Sequence, residues 1–327
     1  EFRFKDFCPK LFGKIRELSG INSEEYAKNF EKTCKEKFSE GRSGAFMFFS
    51  SNEKYIVKTT TKSESLALHS IMPKYVEFLK NNPNSLVCRF LGAHCITMYG
   101  NELYFVVMLN VFPTFPLSER YDLKGSWVNR HGFEFSRKTK HERMRREPKS
   151  ESSPLYQDND LQHKISLEED VTYALASQIR RDILFLREMQ LMDYSLLIGV
   201  RRERFKVLDN ANSSNDAGDR MSRASIMRDT ELSVTPSHAS TNSTSSIVAR
   251  PSMLTTVPVE DAFKRDHDGG MRARLVEGPG TYYIGIIDVL QEWNFKKKME
   301  RFLKIYFKQY DADGISAIEP SAYCERF

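Results

Sequence analysis

The spacing of apolar and polar residues changes period several times along this chain, and each change predicts an element. Over "FCPKLFGKIRELSGI" the apolar residues Phe7, Leu11, Ile15 and Leu18 recur at helical spacing, and Gly20 is a stop signal. Two β-rich runs follow, Phe46 to Phe49 and Tyr55 to Val57, around the polar turn Ser50 to Glu53, which predicts a hairpin. A helix is expected from about Ser63, with Pro73 ending it or starting the next, because the residue before proline avoids the helical region. "LVCRFLGAHCITM" and "ELYFVVML" predict two further strands. The first ~115 residues therefore predict a small antiparallel sheet with helices.

Further along, "SLEEDVTYALASQIRRDILFLREMQ" predicts a long helix. Ser166 and Glu169 have capping-box spacing, and Val171, Leu175, Ile179, Ile183 and Leu186 form the apolar stripe. "YSLLIGV" and "GTYYIGIIDVL" predict buried strands. In "NFKKKMERFLKIYFKQY", Phe295, Met299, Phe302, Leu303, Tyr306 and Phe307 gather near one helical face. Two stretches break the pattern. Residues 136–153, "SRKTKHERMRREPKSESS", read as a charged linker. From Asn210 to Pro258 the chain is rich in Ser, Thr and Asn and poor in aromatics, which predicts a disordered insertion over about 210–270.

Composition narrows this little. A hydrophobic fraction of 40% and a charged fraction of 28% are ordinary for a globular chain of 327 residues. The net charge of +5 suits a phosphate-bearing partner without choosing one. Cys8, Cys34, Cys88, Cys95 and Cys324 form no zinc or disulfide spacing and read as free thiols. No apolar run reaches the ~18 to 20 residues that span a bilayer. The sequence begins at Glu1 rather than Met, which reads as a piece of a longer protein. "DADGIS" does not make a calcium loop, since the first and last ligand positions would fall on Gln309 and Pro320.

Candidate chemistry sits at the ends of the predicted elements. Gly41 and Gly44 precede a strand, where glycines let backbone amides approach phosphate. Lys58 ends the neighbouring strand, and Glu64 on the next helix is placed to hold it. Asp193 lies between a long apolar helix and an apolar strand. Asp288 closes the apolar run "YYIGIIDVL", where a buried carboxylate needs a basic partner or a metal ion. "YDLKGSWVNR" clusters Asp122, Lys124, Gly125, Ser126 and Arg130. Glycine turn, strand lysine, helix glutamate, loop aspartate and strand-end aspartate follow the order of parts in a protein-kinase-like phosphotransferase. Yet H-R-D, D-F-G and A-P-E are all missing.

"FKDFCPKLFGKIRELSGI", "GRSGAFMFFSSNEKYIVKT", "YDLKGS", "LMDYSLLIG", "YYIGIIDVLQEWNFKKKMER" and "YCERF" together resemble the phosphatidylinositol phosphate kinases, in that family's order. The resemblance implies an α+β, two-lobed kinase-like fold. An antiparallel-sheet amino-terminal lobe (1–115) would bind ATP, and a mixed α/β lobe (116–327) would carry catalysis and lipid binding. It makes Lys58, Asp193 and Asp288 the catalytic residues, with Asp288 the Mg²⁺ ligand. Gly41, Ser43, Gly44, Lys58, Glu64 and Asn110 would contact ATP, although the family's usual M-N-N reads Met108-Leu109-Asn110 here. Lys124, Arg130, Lys297, Lys298 and Glu300 would contact the lipid headgroup. Glu300 matches a position acidic in type I enzymes and alanine in type II. It favours phosphatidylinositol 4-phosphate as substrate and the 5-hydroxyl as acceptor. The alternatives left open are a type II enzyme acting on phosphatidylinositol 5-phosphate and a non-catalytic scaffold binding phosphoinositide or nucleotide.

Lys296, Lys297 and Lys298 beside Trp293, Phe295 and Phe302 suit an anionic membrane surface. The expected location is peripheral, on the cytoplasmic face of membranes, with any tether outside this sequence. A homodimer is allowed. No nucleic-acid partner is expected, since the basic linker has no aromatic stacking platform.

Overall fold

The computed structural model describes residues 2–31, 35–37, 45–112, 116–132, 155–161, 165, 167–202, 271–272 and 280–327. The basic linker, the Ser-rich insertion and the glycine turn bearing Gly41, Ser43 and Gly44 lie outside the described residues.

The chain builds two sheets. Strands β1 (Phe2–Asp6), β2 (Lys35–Lys37), β3 (Met47–Phe49), β4 (Tyr55–Thr60), β5 (Phe90–Met98) and β6 (Asn101–Leu109) form an antiparallel sheet in the order β1-β5-β6-β4-β3-β2. Strands β7 (Glu119–Leu123), β8 (Leu155–Gln157), β9 (Ser195–Arg202), β10 (Met271–Arg272) and β11 (Gly280–Ile287) form a second sheet in the order β10-β11-β9-β7-β8. That sheet is mixed, because β7 and β8 run parallel. This is the α+β class expected from the sequence. The hairpin around Ser50 to Glu53 is β3 and β4, with Met47 opposite Lys58.

Helix α1 (Pro9–Leu18) starts later than its apolar pattern suggested, so Phe7 lies outside it and Phe12 joins Ile15 as a buried contact. Gly20 ends it as foreseen. Its φ of 67° is left-handed, and Gly20 N–H and Ile21 N–H reach back to the carbonyls of Glu17 and Arg16. A short helix, α2 (Ser23–Lys28), follows, capped by Asn22. Helix α3 (Lys62–Asn81) overturns one expectation: it runs straight through Pro73. Proline forfeits one helical hydrogen bond. Here Leu68, Ile71, Met72, Tyr75 and Leu79 are buried on either side of it, and that burial outweighs the loss.

Helix α4 (Glu169–Glu188) occupies the expected segment with a different inner face. Ala174, Leu175, Gln178, Asp182, Phe185 and Leu186 are buried, so two polar residues sit where only apolar ones were anticipated. Ser166, the expected cap, lies outside the described residues. Phe185 of α4 stacks on Phe78 of α3, with centroids 4.1 Å apart, so the two long helices meet there. Helices α5 (Phe295–Tyr306) and α6 (Pro320–Arg326) complete the chain. No described helix is long and apolar enough to cross a membrane. The four described cysteines are unpaired.

Residues 86 to 89 depart from the sequence expectation. The strand predicted from Leu86 pairs within the first sheet only from Phe90. Before that, Val87 bridges to Ile286 of β11 in the second sheet. One extended segment thus crosses from one sheet to the other.

Candidate active site where the two sheets meet

Asp288 follows directly on β11, and Asp193 lies two residues before β9, its antiparallel neighbour, where Ile287 faces Ser195. The two segments are also tied by backbone beyond the sheet: Met192 N–H donates to the Gln291 carbonyl, 3.0 Å, and Leu191 bridges to Glu292. Both aspartates adopt left-handed backbone, each with φ of 61°. Asp tolerates that region better than bulky residues, and such strain concentrates at functional sites.

Lys58 comes from the other sheet. Its Nζ donates to Asp288 Oδ1 at 2.5 Å, spanning the gap between the sheets. Burial alone would raise the Asp288 pKa, but the Lys58 ammonium, with help from Lys124, holds it below the ordinary carboxylate range. Burial likewise opposes the charge on Lys58, and Asp288 overrides it, so the lysine pKa is raised. Both partners are therefore ionised near neutrality. The carboxylate that the sequence set into an apolar run is compensated here by a lysine.

Asp193 is gripped from two sides. Lys124 Nζ donates to its carboxylate at 2.9 Å and to its backbone carbonyl at 2.7 Å. Lys297 of α5 lies 3.4 Å from its other oxygen. Burial pushes the carboxyl up, yet the two lysines and a Ser316 hydrogen bond win, bringing it down to about 2. Glu300, one turn along α5, pairs with Lys297 at 3.0 Å and with Lys304 at 2.6 Å. An alternating chain of charges therefore runs from Lys304 through Glu300 and Lys297 to Asp193 and Lys124.

Four predicted residues stand elsewhere. Glu64 does not bond Lys58. It closes a capping box at the start of α3, where its carboxylate accepts from Thr61 N–H at 2.7 Å, and it reaches Lys58 only through its field. A carboxylate is favoured at a helix start for that reason. Arg130 is committed to two carboxylates, Asp158 at 2.7 Å and Asp122 at 2.8 Å, and so braces its own loop. Asn110, just past β6, spends its side-chain amide on the Glu53 carbonyl at 2.9 Å and its oxygen on Phe112 N–H. Lys298 is exposed on α5.

The sequence reading missed Asp158, which organises the "DLKGS" loop. Its oxygens accept from Lys124 N–H, Ser126 N–H and Arg130 Nε–H. Only its place in "QDND", after a three-residue strand and beyond a charged linker, could have pointed to it. Gly125 in the same loop has φ of 62°, and a Cβ there would lie 3.2 Å from the Arg326 carbonyl. Carboxy-terminal residues brace this region. Trp127 donates to Asp311, and the Tyr323 hydroxyl donates to the Tyr194 carbonyl next to Asp193.

Among the described residues, no three His, Cys, Asp or Glu side chains cluster as a metal site. Magnesium does not need such a cage, since it is commonly held by one or two carboxylates with substrate phosphates. Asp288, ionised and with 37% of its side chain exposed, fits that donor set.

Lys58 reaches from the antiparallel sheet to Asp288 at the end of β11, and Asp193 lies beside it just before β9; this is the arrangement of a kinase-like fold. Residues 16–327 match the family model described as phosphatidylinositol-4-phosphate 5-kinase, and the chain belongs to that family. It is 33% identical to a probable phosphatidylinositol phosphate kinase of Dictyostelium discoideum, over the full chain and 47% of that protein. It is 32% identical to the mouse phosphatidylinositol 4-phosphate 5-kinase type-1 alpha, over the full chain and 56% of that protein. Against phosphatidylinositol 4-phosphate 5-kinase 6 of Arabidopsis thaliana the figures are 31% identity, the full chain and 45% of the relative. The chain thus spans about half the length of these curated relatives.

Proposed function

We propose that this chain transfers the γ-phosphate of ATP to an inositol hydroxyl of a phosphatidylinositol phosphate, with phosphatidylinositol 4-phosphate as substrate and its 5-hydroxyl as acceptor. The observation that carries the reading is the convergence of Lys58, Asp288, Asp193 and Lys124 at the junction of the two sheets. Lys58 binds nucleotide phosphate oxygens. Asp288 would hold Mg²⁺, which when bound supplies positive charge to the phosphates. Asp193, held near a pKa of 2, is ionised and accepts the hydrogen bond of the attacking hydroxyl. A base that weak takes the proton late, which suits the loose character of phosphoryl transfer. Lys124 and Lys297 place cationic donors beside it, where an existing headgroup phosphate would dock.

Glu300 supports the choice of isomer. It pairs with Lys297 at 3.0 Å, and alanine at this position would remove the nearer of that lysine's two carboxylate partners, leaving Asp193 at 3.4 Å. The exposed face of α5 supports a membrane partner. Phe295, Tyr306 and Phe307 are 76%, 68% and 74% exposed, and Lys296 and Lys298 are exposed beside them. Apolar burial with about 1 kcal/mol per lysine near an anionic leaflet suits peripheral attachment at the cytoplasmic face.

The test is labelled phosphate transfer to vesicles carrying each phosphoinositide monophosphate in turn. Product from phosphatidylinositol 4-phosphate is expected, with Glu300→Ala shifting the preference among isomers. Vesicle binding without transfer would overturn catalysis in favour of a scaffold.

A further inference from the structure

Asp182 is a fully buried carboxylate, at 0% exposure, that the reaction as derived above does not use. It lies on α4, on the face turned toward the crossing segment. Its Oδ2 accepts from Leu86 N–H at 2.7 Å, and its Oδ1 accepts from Gln178 Nε2 at 2.8 Å. Ser85 also donates to it, while Ser85 Oγ accepts from Val87 N–H. Every contact on the carboxylate is therefore a donor, and one of them is the first backbone group of the crossing segment.

That segment holds the edge of β11. Ile286 N–H donates to the Leu86 carbonyl at 2.8 Å, and Cys88 N–H donates to the Ile286 carbonyl at 2.8 Å. The described part of β10 covers only Thr281 and Tyr282, so at Ile286 the edge of β11 is closed by Val87 instead. Asp288 is two residues further on. From α3, the Tyr75 hydroxyl takes the Cys88 carbonyl, fixing the other end of the same segment.

We infer that Asp182 is a positioning residue for phosphoryl transfer: by holding Leu86, it sets the register in which residues 86 to 88 clamp Ile286, and so places Asp288 against Lys58. The inference rests on the reading of Lys58 and Asp288 given above. A misplacement of about 1 Å at a reacting group costs on the order of 10²-fold in rate. Burial pushes the Asp182 carboxyl above its ordinary value, while the hydrogen bonds from Leu86 N–H, Gln178 and Ser85 pull it the other way.

The test uses the full-length protein, assayed well below its melting temperature so that nearly all of it is folded. Asp182→Asn keeps the shape but presents N–H₂ to a donor. The expected result is a fall in kcat of about ten-fold or more, with KM for phosphatidylinositol 4-phosphate vesicles unchanged and faster amide exchange at Ile286 and Cys88. The double variant Asp182→Asn/Gln178→Glu restores the donor–acceptor match with the charge moved one turn, since Arg181 already donates to residue 178. It should recover most of kcat. An active wild type beside an equally active Asp182→Asn would overturn this inference alone. A double variant that regains stability without regaining kcat would also overturn it. An inactive wild type would overturn the reading of the site and this inference with it.

Discussion

Replacing Lys58 with methionine separates the two roles of the Lys58–Asp288 pair. At 2.5 Å and an effective dielectric near 20, the gross attraction is about 6 to 7 kcal/mol. Much of that offsets desolvation of the two ions. Removing one partner of a buried pair costs ~3 to 5 kcal/mol. Asp288 keeps 37% of its side chain exposed, so water relieves part of the orphaned charge. The expected loss is about 2 to 3 kcal/mol, toward the low end. Asp288 has a lowered pKa, so its contribution is full above the unfolded value near 4 and fades as pH falls through the folded one. Lys58 has a raised pKa, so its contribution is full below about 10.4 and fades as pH rises through the folded value. The pair therefore counts fully between roughly pH 4 and 10. Thermal melts at pH 7 should show Lys58→Met destabilised, and Lys58→Met/Asp288→Asn should recover most of the loss. Phosphate transfer should fall by ~10²-fold or more in both. If the double variant regained turnover along with stability, the pair would be a structural bridge, and its assignment to the nucleotide phosphates would be wrong.

Three other outcomes are expected. Asp193→Asn, which keeps the left-handed backbone accessible, should cost on the order of 2 kcal/mol at pH 7, because the folded carboxyl titrates at about 2. Its pKa is lowered, so that difference should shrink as pH falls from 4 toward 2, which denaturant melts across pH would show. Gly125→Ala should destabilise by about 1 to 2 kcal/mol, since φ of 62° disfavours any Cβ, and it should lower turnover by shifting Lys124. Phe295→Ser with Tyr306→Ser should weaken sedimentation with anionic vesicles while leaving the melting temperature within about 1 °C, because both side chains are already exposed.

The sequence made the site legible where chemistry forces an unusual residue into an ordinary pattern. Asp288 stood out because a carboxylate in an apolar run needs a compensating charge, and Lys58 because it follows the apolar pair Ile56-Val57 in a predicted hairpin, although the strand runs past it to Thr60. Glu64 misled because a glutamate three residues past a threonine satisfies a helix start as well as a lysine. Arg130 was ambiguous, because a guanidinium in a polar turn reads the same whether it faces phosphate or Asp158. Asp158 and Asp182 were silent. Each works through backbone N–H groups far away in sequence, and no periodicity encodes that. The crossing of residues 86 to 89 was hidden for a related reason. An apolar run predicts a strand but not which sheet receives it.

Arg202 faces Gly280 across the β9–β11 ladder. The chain leaves the second sheet at Arg202 and is back in it by Met271 of β10, which pairs with β11, the same strand that faces Arg202. Closing such a loop grows costlier only with the logarithm of its length. Evolution can lengthen, shorten or rewrite the serine-rich stretch without moving Asp193 relative to Asp288, so whatever that stretch answers to can change while the chemistry at the other end of the ladder stays fixed.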